Sequence, residues 1–143
     1  MKRIAIIPVK SRSRRLPGKN IRMFHGRPMF VHTVEAAISS HLFDKVLVST
    51  SDEDVLSAAR GVGAEVHVRN KNLETDSARL VDVCASVLAE ETKAGNAYDL
   101  MVLLLATAPM RGTEDIINVI REAEMSDSGG AIAVTAFSHP PHQ

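Results

Sequence analysis

Arg3-Ile4-Ala5-Ile6-Ile7-Pro8-Val9-Lys10-Ser11-Arg12-Ser13-Arg14-Arg15-Leu16-Pro17-Gly18-Lys19-Asn20 is the stretch that decides the fold. Its apolar half has strand length and runs into a proline. Its polar half supplies cations and serines, then a Pro-Gly turn with Lys19 and Asn20 at fixed offset, so the whole reads as a buried strand feeding an anion-holding loop. A basic tail is the bland alternative, but a tail has no reason to begin with a core strand.

Charge distribution sharpens this reading. Lysine plus arginine and aspartate plus glutamate each number 17, so the net charge is zero and gives no drive toward nucleic acid or an anionic membrane. No acid precedes Glu35, whereas Lys2, Arg3, Lys10, Arg12, Arg14, Arg15, Lys19, Arg22 and Arg27 do, more than half of all the cations. The positive field is concentrated at the amino-terminal end.

Outward from this stretch, strand-length apolar runs alternate with amphipathic ones. Strands are expected at 3–9, 45–50, 65–69, 99–105 and 131–137. Helical spacing joins Phe30, Val34, Ala37 and Ile38; Val55, Leu56 and Ala59; Leu80, Val83, Cys84, Val87 and Leu88; and Ile116, Ile117, Ile120 and Ala123. Ser51 ahead of Asp52-Glu53-Asp54 reads as a hydroxyl cap with acids in the first turn, and Thr75-Asp76 and Thr113-Glu114-Asp115 as similar starts. The run 100–105 is apolar on both faces, as a central parallel strand must be. The pattern predicts an α/β domain, a doubly wound, mainly parallel sheet with helices on both faces. Ligands in such sheets bind beyond the carboxyl ends of the strands, where the basic loop, Ser49-Thr50-Ser51-Asp52 and 106–111 all fall.

With 143 residues and 45% hydrophobic content the chain suits a single domain, 1–143, with an aliphatic core, since aromatics make only 3%. Cys84, the lone cysteine, excludes an internal disulfide and reads as a buried thiol. No apolar run reaches the length of a membrane span, and the opening run is too short for a signal peptide, so a cytoplasmic protein is expected.

The loop offers charge-assisted donors to phosphate oxygens, yet it is neither GxxxxGK[ST] nor GxGxxG. The stretch 6–20 resembles instead the opening of the acylneuraminate cytidylyltransferases, the CMP-sialic acid synthetase family, with its pattern IIPARGGSKRIPGKN. The likeness continues through Phe24-His25-Gly26-Arg27-Pro28, Phe43-Asp44-Lys45-Val46-Leu47-Val48-Ser49-Thr50 and Gly63-Ala64-Glu65-Val66. The family's LLQPTSPLR corresponds to 103–111, and Ser138-His139-Pro140-Pro141 is similar to its HPP. The resemblance implies a Rossmann-like nucleotidyltransferase fold and transfer of CMP from CTP to the anomeric hydroxyl of a nonulosonic acid, with Mg²⁺ and release of pyrophosphate. Such a displacement asks mainly for positioning and charge neutralisation.

Carried over by position, the resemblance assigns Lys10, Arg14 and Lys19 to catalysis as the cations that neutralise the triphosphate. It assigns Ser13, Asn20, Arg69, Asp76, Thr107 and Arg111 to the nucleotide, the last four forming a rim, and Arg12, a cation the pattern lacks, joins the nucleotide-binding set by its charge. Family members continue past the position of Gln143 with a pair of aspartates for the metal, so no metal ligand is expected in this chain, which reads as part of a longer enzyme in preference to a shortened homologue. A homodimer is left open.

The chain also departs from the pattern. Lys10 replaces an arginine and loses its bidentate fork, Ser11 and Arg12 replace glycines, and Ser51 and Leu80 stand at an acid and a hydroxyl position. Leu105 replaces the glutamine, and an aliphatic side chain cannot hydrogen-bond a base. Two other readings therefore stand: a non-catalytic nucleotide-binding module of the same fold, and a transferase of altered base or sugar specificity. For Asp52, Asp54 and Asp76 helix capping is the default reading, and for His25, His32, His139 and His142 a surface role.

Overall fold

The structure, a computed structural model, describes residues 1–10, 18–75 and 77–136. Its elements follow the order β1 (Arg3–Pro8), β2 (Met23–Phe24), β3 (Arg27–Pro28), α1 (Met29–Ser39), β4 (Lys45–Thr50), α2 (Glu53–Gly61), β5 (Glu65–Val68), a 3-10 turn (Lys71–Leu73), α3 (Leu80–Lys93), β6 (Leu100–Leu103) and α4 (Thr113–Met125). Four strands form a parallel sheet in the order β5-β4-β1-β6, and β2 and β3 form a separate antiparallel hairpin. The doubly wound α/β architecture is as expected.

Alternation along β1 explains why its apolar run is unbroken. Ala5, Ile7 and Val9 enter the larger core with Phe30, Val34 and Ala37 of α1, Val55 and Ala59 of α2, and Ile116 and Ile120 of α4. Ile4 and Ile6 face the other way, onto Leu47 and onto Cys84 and Val87 of α3. Ile4, Ala5, Ile6, Ile7 and Val9 are inaccessible, so each isoleucine and valine of this run contributes about 1.5–3 kcal/mol of burial. Cys84 is buried as expected, and burial pushes its thiol pKa up, which disfavours a nucleophilic thiolate.

The chain builds outward from β1 through β4 to β5, then crosses back over the sheet by α3 to lay β6 on the other side of β1. Strand order therefore reverses at β1, and the carboxyl end of that strand is the switch point. Lys10 is the first residue past it with a charged side chain.

Four expectations need correction. The central strand is β1, not the run 100–105: β6 is an edge among the described residues, and Met101 and Leu103, register partners of Ile4 and Ile6, are each 37% exposed because α3 covers only β1 and β4 on that face. Residues 131–136 form no strand; they have no ladder partner among the described residues, and Ile132 and Val134 are exposed. The cap of α2 is Asp52, not Ser51, its Oδ1 accepting from the backbone N–H groups of Asp54 (3.0 Å) and Val55 (3.1 Å). Helix α3 begins at Leu80 rather than near Thr75, after Asp82 reaches back to accept from the Arg79 N–H at 3.3 Å. No helix among the described residues is long and apolar enough to cross a membrane.

Candidate functional site

Parallel pairing carries β1 past its last ladder residue. Val9 N–H donates to the Ser49 carbonyl at 2.9 Å, so the chain stays fixed to β4 until Lys10, where the basic loop begins. On the far side of that loop Gly18 has φ +67°, a left-handed conformation that glycine adopts without strain. Its carbonyl accepts from the N–H groups of Ile21 (3.1 Å) and Arg22 (2.9 Å), turning the chain back toward the sheet.

Asn20 closes the mouth. Its side-chain Nδ2 donates to the Lys10 carbonyl at 3.0 Å, and its own carbonyl accepts from Phe30 N–H at 3.0 Å at the start of α1. Only 5% of the residue is exposed, and its Oδ1 has no hydrogen-bond partner among the described residues. Leaving an acceptor buried and unmet costs about 1–3 kcal/mol.

The hairpin that follows turns at His25 and Gly26, both at positive φ, the geometry that suits a tight two-residue turn. His32 on α1 holds it through Nε2 to the Phe24 carbonyl at 2.6 Å, a structural role, while His25 is exposed in the turn. Arg27 pairs with Glu35 of α1.

Arg69, just beyond β5, is buried rather than at a rim. Its Nη2 donates to the Ser49 carbonyl at 2.6 Å and its Nε to the Ser49 hydroxyl at 3.3 Å, while Nη1 lies 3.3 Å from Glu74 Oε1. The Ser49 carbonyl therefore holds both the Val9 amide and the Arg69 guanidinium. Burial pushes the arginine's pKa down and Glu74 partly restores it; a guanidinium remains charged in either case.

Beyond β6, Thr107 is exposed and Arg111 half-buried. Arg111 Nη2 makes only a long contact, 3.5 Å, to the Leu105 carbonyl, and its buried Nη1 has no hydrogen-bond partner among the described residues. Desolvation pushes this guanidinium's pKa down, Asp115 opposing. Leu105 is 39% exposed at the same edge.

The structure thus brings Lys10, Asn20 and Arg69 together around the carboxyl end of β1, with Lys19 one residue from Asn20 and with Thr107 and Arg111 following the neighbouring strand. Arg12, Ser13, Arg14 and Asp76 lie outside the described residues, as do His139 and His142. Among the described residues no three His, Cys, Asp or Glu side chains gather as a metal set. One linked group was missed by sequence reasoning: Ser49, His67 and Glu90, which connect to Arg69. The signal was His67 two residues before Arg69 on the same face of a strand otherwise marked by valines.

A family model described as "Cytidylyltransferase" matches residues 4–136. The chain is 33% identical over 141 residues to a pseudaminic acid cytidylyltransferase of Campylobacter jejuni, covering 98% of this chain and 61% of the relative. It is 30% identical over 142 residues to a CMP-N,N'-diacetyllegionaminic acid synthase of Legionella pneumophila, covering 99% and 61%. An N-acylneuraminate cytidylyltransferase of Escherichia coli is 32% identical over 140 residues, 98% of this chain and 32% of that protein. The chain thus spans about three fifths of the length of the Campylobacter and Legionella relatives. Among solved structures, a CMP:2-keto-3-deoxy-manno-octonic acid synthetase complexed with CTP superposes with a TM-score of 0.73 at 24% identity, over 87% of this chain and 48% of that one, a likeness of fold.

Proposed function

The chain belongs to the cytidylyltransferase family, and from that premise we propose that it forms the nucleotide-binding part of an enzyme transferring CMP from CTP to a nonulosonic acid. In that reaction the anomeric oxygen bonds to the α-phosphorus while the bond from that phosphorus to the bridging oxygen breaks, and pyrophosphate leaves. Lys10 and Lys19, with Arg12 and Arg14 of the same loop, neutralise the triphosphate; Ser13 and Asn20 contact the nucleotide; Arg69, Asp76, Thr107 and Arg111 complete the set. Work of this kind is positioning plus charge stabilisation, and it needs no protein nucleophile.

The observation that carries this reading is the buried Oδ1 of Asn20, which has no partner among the described residues, beside Lys10 at the root of the cationic loop. A nucleotide offers hydroxyl and amino donors at one end and anions at the other, which is what the acceptor and the cations require. The described residues form no set fit to hold a divalent metal, so Mg²⁺ enters as an expectation of the family and no step is routed through it. The relatives bear the names of three different sugar acids at 30–33% identity, so the acceptor is proposed only as a class. Pyrophosphate release by the full-length protein from CTP with a panel of nonulosonic acids tests the proposal; binding of CTP without release under any condition would leave a binding module instead.

One observation favours a relaxed base choice. Leu105 presents an aliphatic side chain at the carboxyl end of β6, so recognition of cytosine falls to other groups. Equal affinities for CTP and UTP in direct titration would establish that reading, and a clear preference for CTP would remove it.

A further inference from the structure

Ser49, His67 and Glu90 form a connected line that ends on Arg69. The Ser49 hydroxyl lies 2.9 Å from His67 Nδ1, and His67 Nε2 lies 3.1 Å from Glu90 Oε1 on α3. Ser49 is inaccessible, His67 6% exposed and Arg69 5% exposed, whereas the Glu90 side chain is largely in solvent. The line thus runs from a surface carboxylate into the interior, to the residue whose carbonyl holds Val9 at the end of β1.

Donor and acceptor roles along it are determined from one end. The Glu90 carboxylate can only accept, so the imidazole proton sits on Nε2. In the neutral ring Nδ1 is then the acceptor and takes the Ser49 hydroxyl proton at 2.9 Å. The Ser49 oxygen keeps its lone pairs for Arg69 Nε–H, which can only donate, at 3.3 Å. Every group in the line is satisfied in one orientation of the chain of bonds, a condition under which a buried polar network fixes geometry. The same Ser49 residue uses its carbonyl to hold Arg69 Nη2 and Val9 N–H, so the orientation of Arg69 and the root of the basic loop share one support.

We propose that His67, itself oriented by Glu90, is a positioning residue that acts through Ser49 to hold the Arg69 guanidinium in place for the nucleotide. The inference rests on the nucleotide-binding reading above. It assigns no contact between His67 and substrate.

Three variants of the full-length protein test it. His67→Leu removes the Nδ1 acceptor, Ser49→Ala removes the hydroxyl, and His67→Asn returns an amide oxygen near the position of Nδ1. CTP affinity should fall about three- to tenfold in the first two, the factor that one lost hydrogen bond corresponds to, and should recover in His67→Asn. Arg69 Nε–H, observed by ¹H–¹⁵N NMR without nucleotide, should exchange slowly with water in the wild type and in His67→Asn and rapidly in His67→Leu. Equal protection of that proton in His67→Leu and wild type would overturn the proposal. Loss of affinity in both His67 variants alike would also overturn it, since a merely structural histidine would give that result. If the wild type bound no CTP, the nucleotide reading would fail on its own, while the exchange measurement would still decide whether the line holds Arg69.

Discussion

Replacing Asn20 by leucine, its near-isostere, separates a binding residue from a structural one. Folding loses the hydrogen bond to the Lys10 carbonyl, 3.0 Å long, at a cost of about 0.5–1.5 kcal/mol. It also sheds the buried Oδ1 that has no partner among the described residues, a relief of about 1–3 kcal/mol. The two nearly cancel, so the unliganded melting temperature should move by no more than about 4 °C, roughly 1 kcal/mol in a domain of this size. CTP binding has no such compensation, because a donor that would have met Oδ1 now meets a methyl group. Affinity should fall about tenfold, the equivalent of about 1.4 kcal/mol. Differential scanning fluorimetry without ligand and isothermal titration with CTP read the two quantities separately. A melting temperature lowered by about 8 °C or more, with CTP affinity unchanged, would refute the reasoning by showing that Asn20 is a strut and its oxygen no ligand site.

Other predictions follow from the same interactions. Asp52→Ala should cost about 1 kcal/mol in stability, since it removes the acceptor of two N–H groups at the start of α2; CTP affinity should stay constant, and a strong fall with unaltered melting would reveal a role in the site instead. Glu91 accepts from Lys45 at 2.8 and 3.0 Å, from Tyr98 at 2.8 Å and from Asn96 at 3.0 Å, so Glu91→Gln should destabilise by about 2 kcal/mol near neutral pH. Burial is the largest single influence and alone would raise the Glu91 pKa and lower that of Lys45; hydrogen bonds and charge attraction from Lys45, Tyr98 and Asn96 on Glu91, and from Glu91 and Glu65 on Lys45, together outweigh it and hold the carboxyl low and the ammonium high. A depressed carboxyl contributes stability above its unfolded pKa and loses it as pH falls through the folded value. Thermal melts of wild type and Glu91→Gln should therefore converge as pH falls below the ordinary carboxylate range, and a gap that persisted or widened there would contradict this account.

What could be read in the sequence was what neighbouring residues determine among themselves. The expected strand at 45–50 coincides with β4, and the apolar spacing of Phe30, Val34 and Ala37, or of Val55, Leu56 and Ala59, marks the faces that are buried. Strand order was less accessible, because it depends on pairing between distant segments. Among the described residues the run 100–105 has the composition of a central strand yet lies at an edge, and 131–136 has that of a strand yet lacks a partner. At α2 the two candidate caps stood side by side, and the backbone geometry gave the role to Asp52, whose one oxygen reaches two N–H groups. Asn20 was found through a motif, but that its Oδ1 has no partner among the described residues required coordinates. His67 carried no motif, and only the meeting of β4, β5 and α3 links it to Arg69.

The central claim is that nucleotide binds at the carboxyl end of β1, where strand order reverses. The most direct test is a map of backbone amide shifts in the ¹⁵N-labelled full-length protein during titration with CTP, with pyrophosphate as competitor. The account predicts that the shifts concentrate on the loop from Lys10 to Asn20, on Ser49 and Arg69, and near Arg111, and that pyrophosphate reverses those in the loop first. Shifts confined to the hairpin, to α2 or to the exposed face of β6, with Lys10 to Asn20 unmoved at saturation, would contradict it.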